Sequence, residues 1–226
     1  MSKYEENGFE IDGLDEIEVE NTEVDDLESE NINLIFLGID ESASMTQHTS
    51  AMQKSLAEFK AALTNSKEAD EILVARADFS NFIKVGGYKK ISQFDTSYAT
   101  FCTTALYDVI IEGAEKLKEY RGFLKEQGVR VKAVFAIFSD GKDEGSKNDH
   151  SSAGKAVEFL NSEEITTAFI SFGGQATRTA KDLGFRNILD VASSASELRK
   201  AFNCLSKSVI ESSRSVLNDD DDFFKI

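Results

Sequence analysis

Three near-continuous apolar stretches, separated by segments long enough to form helices, constrain the fold of this chain more than any other feature. They cover residues 32–39, 131–138 and 166–172. An apolar run of this length without alternation is typical of a strand buried on both faces, as in a parallel sheet covered by helices on its two sides. The chain therefore needs a layered architecture with a central sheet.

Helical patterns lie between these strands. Met52, Leu56, Phe59 and Leu63 follow one another at spacings of four, three and four, which indicates a helix with one apolar face. Similar patterns run on from residue 104 and over residues 152–160, 178–183 and 196–212, and shorter strands are predicted at residues 71–77, 82–85 and 187–191. This alternation predicts the α/β class: a Rossmann-like, doubly wound and mainly parallel central sheet flanked by helices.

The charge of the chain is concentrated at its two ends. The net charge is −16, and residues 1–30 alone contain thirteen acidic side chains and one lysine. Residues 218–226 add four aspartates and one lysine. We therefore predict an acidic, mostly disordered tail over residues 1–30, one domain over residues 31–217, and an acidic, mobile tail over residues 218–226. A docked segment in the first tail, and a docking tip at Phe223 and Phe224 in the second, remain alternatives.

Composition argues against several classes of protein. The region between the tails is nearly neutral, so it offers no basic face for nucleic acid. The amino terminus lacks the pattern of a secretory signal, and no apolar stretch approaches the roughly 20 residues that a membrane span requires. Two cysteines form neither a disulfide framework nor a zinc cluster. These features predict a cytoplasmic protein without a nucleic-acid or membrane partner.

Polar residues gather where the predicted strands end. Asp40, Ser42 and Ser44 follow the first strand, Thr104 begins a helix, and Asp140 follows the strand over residues 131–138. In a doubly wound sheet, ligands bind at the carboxyl ends of the strands where the winding reverses. Two neighbouring carboxylates repel each other unless a cation neutralises them, and hard divalent cations prefer oxygen ligands. The set therefore predicts a site for magnesium or manganese.

Each of these residues also has an ordinary structural interpretation. Asp40, Ser42 and Ser44 are residue types that cap helices, and Thr104 stands where a helix N-cap is expected. Asp140 precedes a glycine and fits a plain turn. Glu41, within the same loop, is predicted to face solvent and to bind no metal.

Taken together, the residues resemble the metal-ion-dependent adhesion site (MIDAS) of the von Willebrand factor A (vWA) domain family. That site combines a D-x-S-x-S loop, a threonine in a T-x-L context and an aspartate in an S-D-G turn. The resemblance covers residues 32–212, with departures at Ala43 and Thr103, where glycine is frequent in the family. The matching segments are Asp40-Glu41-Ser42-Ala43-Ser44, Thr104-Ala105-Leu106 and Ser139-Asp140-Gly141.

The resemblance implies a vWA fold of the bacterial intracellular type with a complete MIDAS. It implies that Ser42 and Ser44 bind Mg2+ (or Mn2+) directly, that Asp40 and Asp140 act through water, and that Thr104 changes its contact when a partner docks. A partner protein is then expected to complete the metal's coordination with an Asp or Glu. Relatives of this type work as scaffolds or adaptors beside an AAA+ ATPase or a kinase and phosphatase pair.

Enzyme signatures are missing from the sequence. It contains no G-x-S-x-G turn, no P-loop and no glycine fingerprint after the first strand, so we predict that the chain is not an enzyme. The alternative function is a magnesium-dependent phosphoryl-transfer or receiver-like domain, which also uses acids at strand ends. Such a domain expects a lysine after the strand ending at Phe172, where this chain has Gly173 and Gly174.

Overall fold

The computed structural model describes residues 21–66, 71–174, 176–214 and 223–224. The predictions made for the remaining residues of the two tails fall outside this part of the chain. The strands are β1 (Asn31–Asp40), β2 (Glu71–Phe79), β3 (Ile83–Val85), β4 (Lys89–Lys90), β5 (Arg130–Ser139), β6 (Thr166–Phe172) and β7 (Asn187–Val191). The α-helices are α1 (Thr49–Thr64), α2 (Leu106–Glu126), α3 (His150–Ser162), α4 (Ala176–Asp182) and α5 (Ala195–Arg214).

One mixed sheet forms the centre of the molecule, with strand order β3-β2-β1-β5-β6-β7 and β4 paired to β2. The pairs that join β2, β1, β5, β6 and β7 are all parallel. Strands β3 and β4 run antiparallel to β2. The predicted α/β class, with a mainly parallel sheet flanked by helices, is confirmed. Strand β1 lies between β2 and β5, where the winding direction reverses.

Strand β1 shows why its sequence is apolar without alternation. Leu34 and Phe36 belong to the core cluster on the side of α2 and α3, and Ile35 and Leu37 belong to the cluster on the side of α1 and α5. All four side chains are fully buried. Because successive side chains of a strand point to opposite faces, a strand between two helical layers has no solvent-facing position.

The segment over residues 21–30 packs on the domain, which corrects the predicted boundary at residue 30. The Thr22 amide and hydroxyl both donate to the Tyr88 carbonyl, at 2.8 and 2.9 Å. The Tyr88 amide donates to Asn21 Oδ1 at 2.8 Å, and the Tyr120 hydroxyl donates to the Thr22 carbonyl at 2.7 Å. These bonds satisfy backbone groups beside a fully buried tyrosine, so this part of the acidic stretch is structural.

Phe223 and Phe224 also lie on the domain and not on a mobile tip. Both side chains are buried, and they belong to the same core cluster as Leu189 and Val191 of β7. The Phe223 amide donates to Asn187 Oδ1 at 3.1 Å. Burial of this phenylalanine pair removes a large apolar area from water, which stabilises its contact with the domain.

Among the described residues, no helix combines the length and the apolar character that crossing a bilayer requires.

Candidate metal centre

The carboxyl ends of β1 and β5 lie side by side, and they carry the two predicted aspartates. The register places Ile39 opposite Phe138, so that Asp40 ends β1 beside the point where Asp140 follows β5. On the other side of β1, Asp40 is opposite Phe79 of β2. The two strands that precede these aspartates, β1 and β5, are therefore neighbours in the sheet.

Asp40 is fully buried and held by three hydrogen bonds. The Ser42 amide donates to its Oδ1 at 2.8 Å, and the Ser139 hydroxyl donates to its Oδ2 at 2.6 Å. The Tyr98 hydroxyl donates to its backbone carbonyl at 2.6 Å. Because each carboxylate oxygen already accepts one bond, Asp40 is held rigidly in one orientation. Ser139 and Tyr98 were given no role from the sequence; Tyr98 carries no local signal because it is distant in the chain.

Ser42 and Ser44 bring their hydroxyl oxygens to the same point, at 2.9 Å from each other. Their predicted alternative role as helix caps does not hold. A short 3-10 helix begins at Ala43, and the side chain of its N-cap, Ser42, makes no capping bond. Helix α1 begins later, at Thr49. The two hydroxyls therefore cap no helix, and they form a hydrogen bond with each other.

Thr104 lies on a loop that is bonded to both aspartate-bearing loops. Its carbonyl accepts the amides of Glu144 and Gly145, each at 2.9 Å, in the loop that follows Asp140. On the other side, the Phe101 amide donates to the Glu41 carbonyl at 2.7 Å. The buried Thr104 is not the N-cap of α2, which is Ala105. All five predicted residues thus lie on three connected loops at one edge of the sheet.

Asp140 has a carboxylate oxygen that its place in a turn does not satisfy. Its Oδ1 atom is buried and has no hydrogen-bond partner. The turn itself is closed by other atoms, since the Gly141 amide donates to the Ser139 hydroxyl at 2.9 Å. A buried carboxylate oxygen without a partner is costly, and a hard cation is the kind of ligand that satisfies it. The donor set therefore fits a divalent cation.

The electrostatics of Asp40 point the same way. Burial raises the pKa of its carboxyl group to about 6, against the opposing effect of the bonds from Ser139 and Ser42, and the negative charge of Asp140 adds to the rise. A cation next to both carboxylates favours their charged forms. Groups of three or more Asp, Glu, His or Cys side chains placed to hold a metal do not occur in the described part of the chain. The candidate site depends on hydroxyl oxygens in addition to its two carboxylates.

Glu41 does not face solvent, contrary to its prediction from sequence. The side chain is buried, and its carboxylate accepts the Ala99 amide at 3.3 Å and lies 3.5 Å from the Arg76 guanidinium. Burial and the nearby charge of Asp78 raise the pKa of Glu41 to about 7, and the bond from Ala99 and the charge of Arg76 oppose the rise. Glu41 fixes the loop over residues 99–101 beside the site.

Comparisons with known proteins find similarity in structure but not in sequence. No protein-family profile and no curated sequence matches the chain. Solved structures do match: the pilus adhesin SpaC from Lactobacillus rhamnosus GG has a TM-score of 0.65 at 11% identity over 81% of this chain. A von Willebrand factor type A protein from Catenulispora acidiphila has a TM-score of 0.54 at 14% identity over 80% of this chain. The chain has a vWA-like fold.

These similarities establish the fold alone, since every identity is low. The chain matches 30% of the length of SpaC and 43% of the Catenulispora protein. Proximal thread matrix protein 1 from the mussel byssus, solved with a zinc-occupied MIDAS motif, has a TM-score of 0.56 at 16% identity, over 80% of this chain and 46% of that protein.

Asp108 fastens the loop after Asp140 to helix α2 of this vWA-like domain, a role that its sequence position did not indicate. Its Oδ2 accepts the Lys147 amide at 2.8 Å, and its Oδ1 accepts the amide and side-chain nitrogen of Asn148, at 2.9 and 2.7 Å. In return, the Ser146 hydroxyl accepts the Asp108 amide at 3.1 Å. This reciprocal capping holds together the loops that carry Thr104 and Asp140.

We expect Asp108→Asn to lower the free energy of unfolding by about 2 kcal/mol. The substitution removes the charge and replaces one accepting oxygen by an NH2 group, which cannot accept a hydrogen bond from the backbone amides. Burial opposes ionisation, but the bonds from Lys147 and Asn148 outweigh it and lower the pKa of Asp108. The ionised carboxylate therefore stabilises the folded state at pH values above the unfolded-state pKa of about 3.9. This contribution is lost as the pH falls through the pKa of the folded state.

Urea unfolding of wild type and Asp108→Asn at pH 7 and at pH 3 measures both effects. The difference in the free energy of unfolding between the two proteins should be largest at pH 7 and smaller at pH 3. Glu126→Gln is the control, because it removes one carboxylate from the exposed surface at the end of the same helix, α2. A difference that is equal at both pH values would contradict the assignment.

Proposed function

We propose that the chain is a metal-dependent protein-binding module. A divalent cation is held at the edge of the sheet, and a carboxylate of a partner protein completes its coordination. The observation that carries the proposal is the buried, unpartnered Oδ1 of Asp140 beside Asp40. The hydroxyls of Ser42 and Ser44 lie next to each other on the same edge, and the loop of Thr104 joins the two sides.

The side chains divide into two groups by their bonding. Ser42 and Ser44 would hold the cation directly, because their hydroxyls are turned toward one point and cap no helix. Asp40 would hold it through water, because both of its carboxylate oxygens already accept hydrogen bonds. A bound cation supplies an electrophilic position for an incoming Asp or Glu. The all-oxygen set with few direct carboxylates suits Mg2+ or Mn2+.

Binding, and not catalysis, is the function that this arrangement supports. The receiver-like alternative needs a cationic side chain at the end of β6, and Phe172 is followed there by Gly173 and Gly174, both at positive φ. Incubation with acetyl phosphate, followed by mass spectrometry, separates the two functions. We expect no stable phosphoryl group on Asp140. Labelling of Asp140 would support the phosphoryl-transfer alternative.

We expect magnesium or manganese to bind once per chain, with Asp140→Ala weakening the affinity by about tenfold to a hundredfold. Asp140 is the residue to replace, since its Oδ1 accepts no hydrogen bond and its loss leaves few groups of the folded protein unsatisfied. Isothermal titration calorimetry with MnCl2 and MgCl2 measures the affinity, and circular dichroism checks the fold.

Glu144→Gln is the matched control for this measurement. It removes one negative charge from the same loop, but its exposed side chain lies outside the set. Equally weakened metal affinity in both variants would show that the effect comes from the net charge of the loop and not from Asp140. Unchanged metal affinity in Asp140→Ala would refute the assigned site.

A further inference from the structure

Two exposed phenylalanines form an apolar pair at the edge of the sheet that carries the candidate metal centre. Phe82 and Phe101 are 45% and 41% exposed, and their rings pack edge to face with centroids 4.9 Å apart. Within the described ranges, the other large hydrophobic side chain with comparable exposure is Phe123 on α2. Two adjacent exposed aromatic rings are unusual, because such surface is normally buried or used for binding.

Backbone hydrogen bonds place the pair next to the metal-binding loop. The Phe101 amide donates to the Glu41 carbonyl at 2.7 Å, and the following residue, Cys102, accepts the Ala43 amide at 3.5 Å. Phe82 closes the turn after β2, where the Ser80 amide donates to its carbonyl at 2.9 Å. Since the end of β2 pairs with Asp40, both phenylalanines lie on the same edge of the sheet as the aspartate.

The loop that presents Phe101 is fixed before any partner arrives. Glu41 binds it twice, through its carboxylate to the Ala99 amide at 3.3 Å and through its carbonyl to the Phe101 amide. The Thr100 hydroxyl lies 3.1 Å from that of Thr46 in the 3-10 helix after Ser42. A rigid aromatic surface loses little entropy when a partner binds, which favours its use in recognition.

From this juxtaposition we infer that Phe82 and Phe101 form the apolar half of a two-part recognition surface. Its occupant is a protein segment that carries an Asp or Glu for the cation and, a few residues away, a large apolar side chain that packs on the two rings. The inference rests on the proposed function and adds the partner's sequence chemistry to it. A carboxylate alone does not distinguish one acidic protein from another, whereas an adjacent apolar contact does.

Selection from a displayed library of random linear peptides, in magnesium chloride and in parallel in EDTA, tests the inference with the full chain. Wild type should enrich peptides that combine an acidic residue with Leu, Ile, Phe or Trp at a fixed short spacing, in magnesium only. The variant Phe82→Ser/Phe101→Ser should still enrich acidic peptides in magnesium, without the apolar preference. The Asp140→Ala variant should enrich neither.

The affinity of one selected peptide then gives the size of the effect. We expect Phe82→Ser/Phe101→Ser to weaken its binding by about tenfold or more, because aromatic residues in an interface contribute much of its affinity. Phe123→Ser, which removes an equally exposed phenylalanine from α2, should leave the affinity unchanged. The magnesium affinity of the double variant should equal that of wild type.

Each other outcome overturns a defined part of the inference. Metal-dependent acidic peptides without an apolar preference leave the proposed function standing and refute the role of the two phenylalanines. The absence of any metal-dependent peptide contradicts both. Sedimentation measures self-association, and a wild-type dimer that Phe82→Ser/Phe101→Ser abolishes would identify a second copy of the chain, and not an acidic partner, as the occupant.

Discussion

Replacing Gly141 by alanine should destabilise the folded protein by about 3 kcal/mol or more, the sum of backbone strain and overpacking. Gly141 has a φ of 87°, a region that residues with a side chain adopt at a cost. A Cβ atom there would lie 2.2 Å from Cα and 2.3 Å from Cβ of Ala176. Because the first of these atoms is backbone at the start of α4, no change of rotamer relieves the contact.

Gly128 provides a matched control within the same chain. Its φ is 82°, close to that of Gly141, but no heavy atom lies within 4 Å of the position of an added Cβ. Gly128→Ala therefore carries the strain alone, about 1–2 kcal/mol. Urea unfolding of the two variants separates strain from overpacking, and equal losses of stability would show that α4 yields to the added methyl group.

The same pair of variants connects the turn to the metal centre. Gly141 follows Asp140, so a shift of this turn moves the carboxylate whose Oδ1 is buried without a partner. Gly128 lies between α2 and β5, at the opposite end of the sheet. We expect Gly141→Ala to weaken manganese binding and Gly128→Ala to leave it unchanged.

The alternation of strands and helices, and with it the α/β class, could be predicted from sequence because it follows from local apolar patterns. An apolar run without alternation, such as that of β1, has few placements other than the centre of a covered sheet. Once β1 and β5 are neighbours, Asp40 and Asp140 necessarily end at the same edge. The proximity of the Ser42 and Ser44 hydroxyls follows from the spacing of the two serines in one short loop.

The remaining features depend on partners distant in sequence. Glu41 is buried because Arg76 lies 3.5 Å from its carboxylate, and nothing near residue 41 indicates that ion pair. Asp108 looks like one more acidic residue in the first turn of a helix until the amides of residues 147 and 148 are placed against it. Such bonds join side chains and loops that are distant in sequence, so they leave no periodic signal.

The acidic ends illustrate the limit of composition. Charge density alone does not decide whether a segment packs on the domain, because a single apolar anchor or a few backbone hydrogen bonds are enough to attach it. Val24 and Leu27 pack partly buried against the core cluster on the side of α2, in spite of the acidic residues around them. The average charge of a segment does not reveal such anchors, because it reflects local composition and not the contacts that individual side chains make with the core.

Replacing Phe223 and Phe224 by alanine should cost about 3 kcal/mol for each residue, the low end for a buried phenylalanine, since both side chains keep some contact with water. The two side chains are 7% and 9% exposed, and their rings pack 5.2 Å apart. The Phe223 amide also donates to Asn187 Oδ1, and the Asn187 side chain in turn donates to the Thr167 carbonyl at 3.1 Å.

Urea unfolding of the single variants, the double variant and a chain truncated after residue 217 measures this contribution. The double variant and the truncated chain should lose similar amounts, because the loss cannot exceed the free energy with which the end docks. Phe223→Leu/Phe224→Leu should lose less, since it keeps most of the apolar volume. Phe123→Ala, at 45% exposure, should change the stability by less than about 1 kcal/mol.

The outcome decides whether the end of the chain is part of the fold. Without the two rings, Leu189 and Val191 of the edge strand β7 lose partners from their core cluster, so the truncated chain should also self-associate more readily than wild type. A double variant as stable as wild type would show that the acidic end is not docked in solution. A midpoint of unfolding that rises with protein concentration would instead indicate that the ends are exchanged between two copies of the chain.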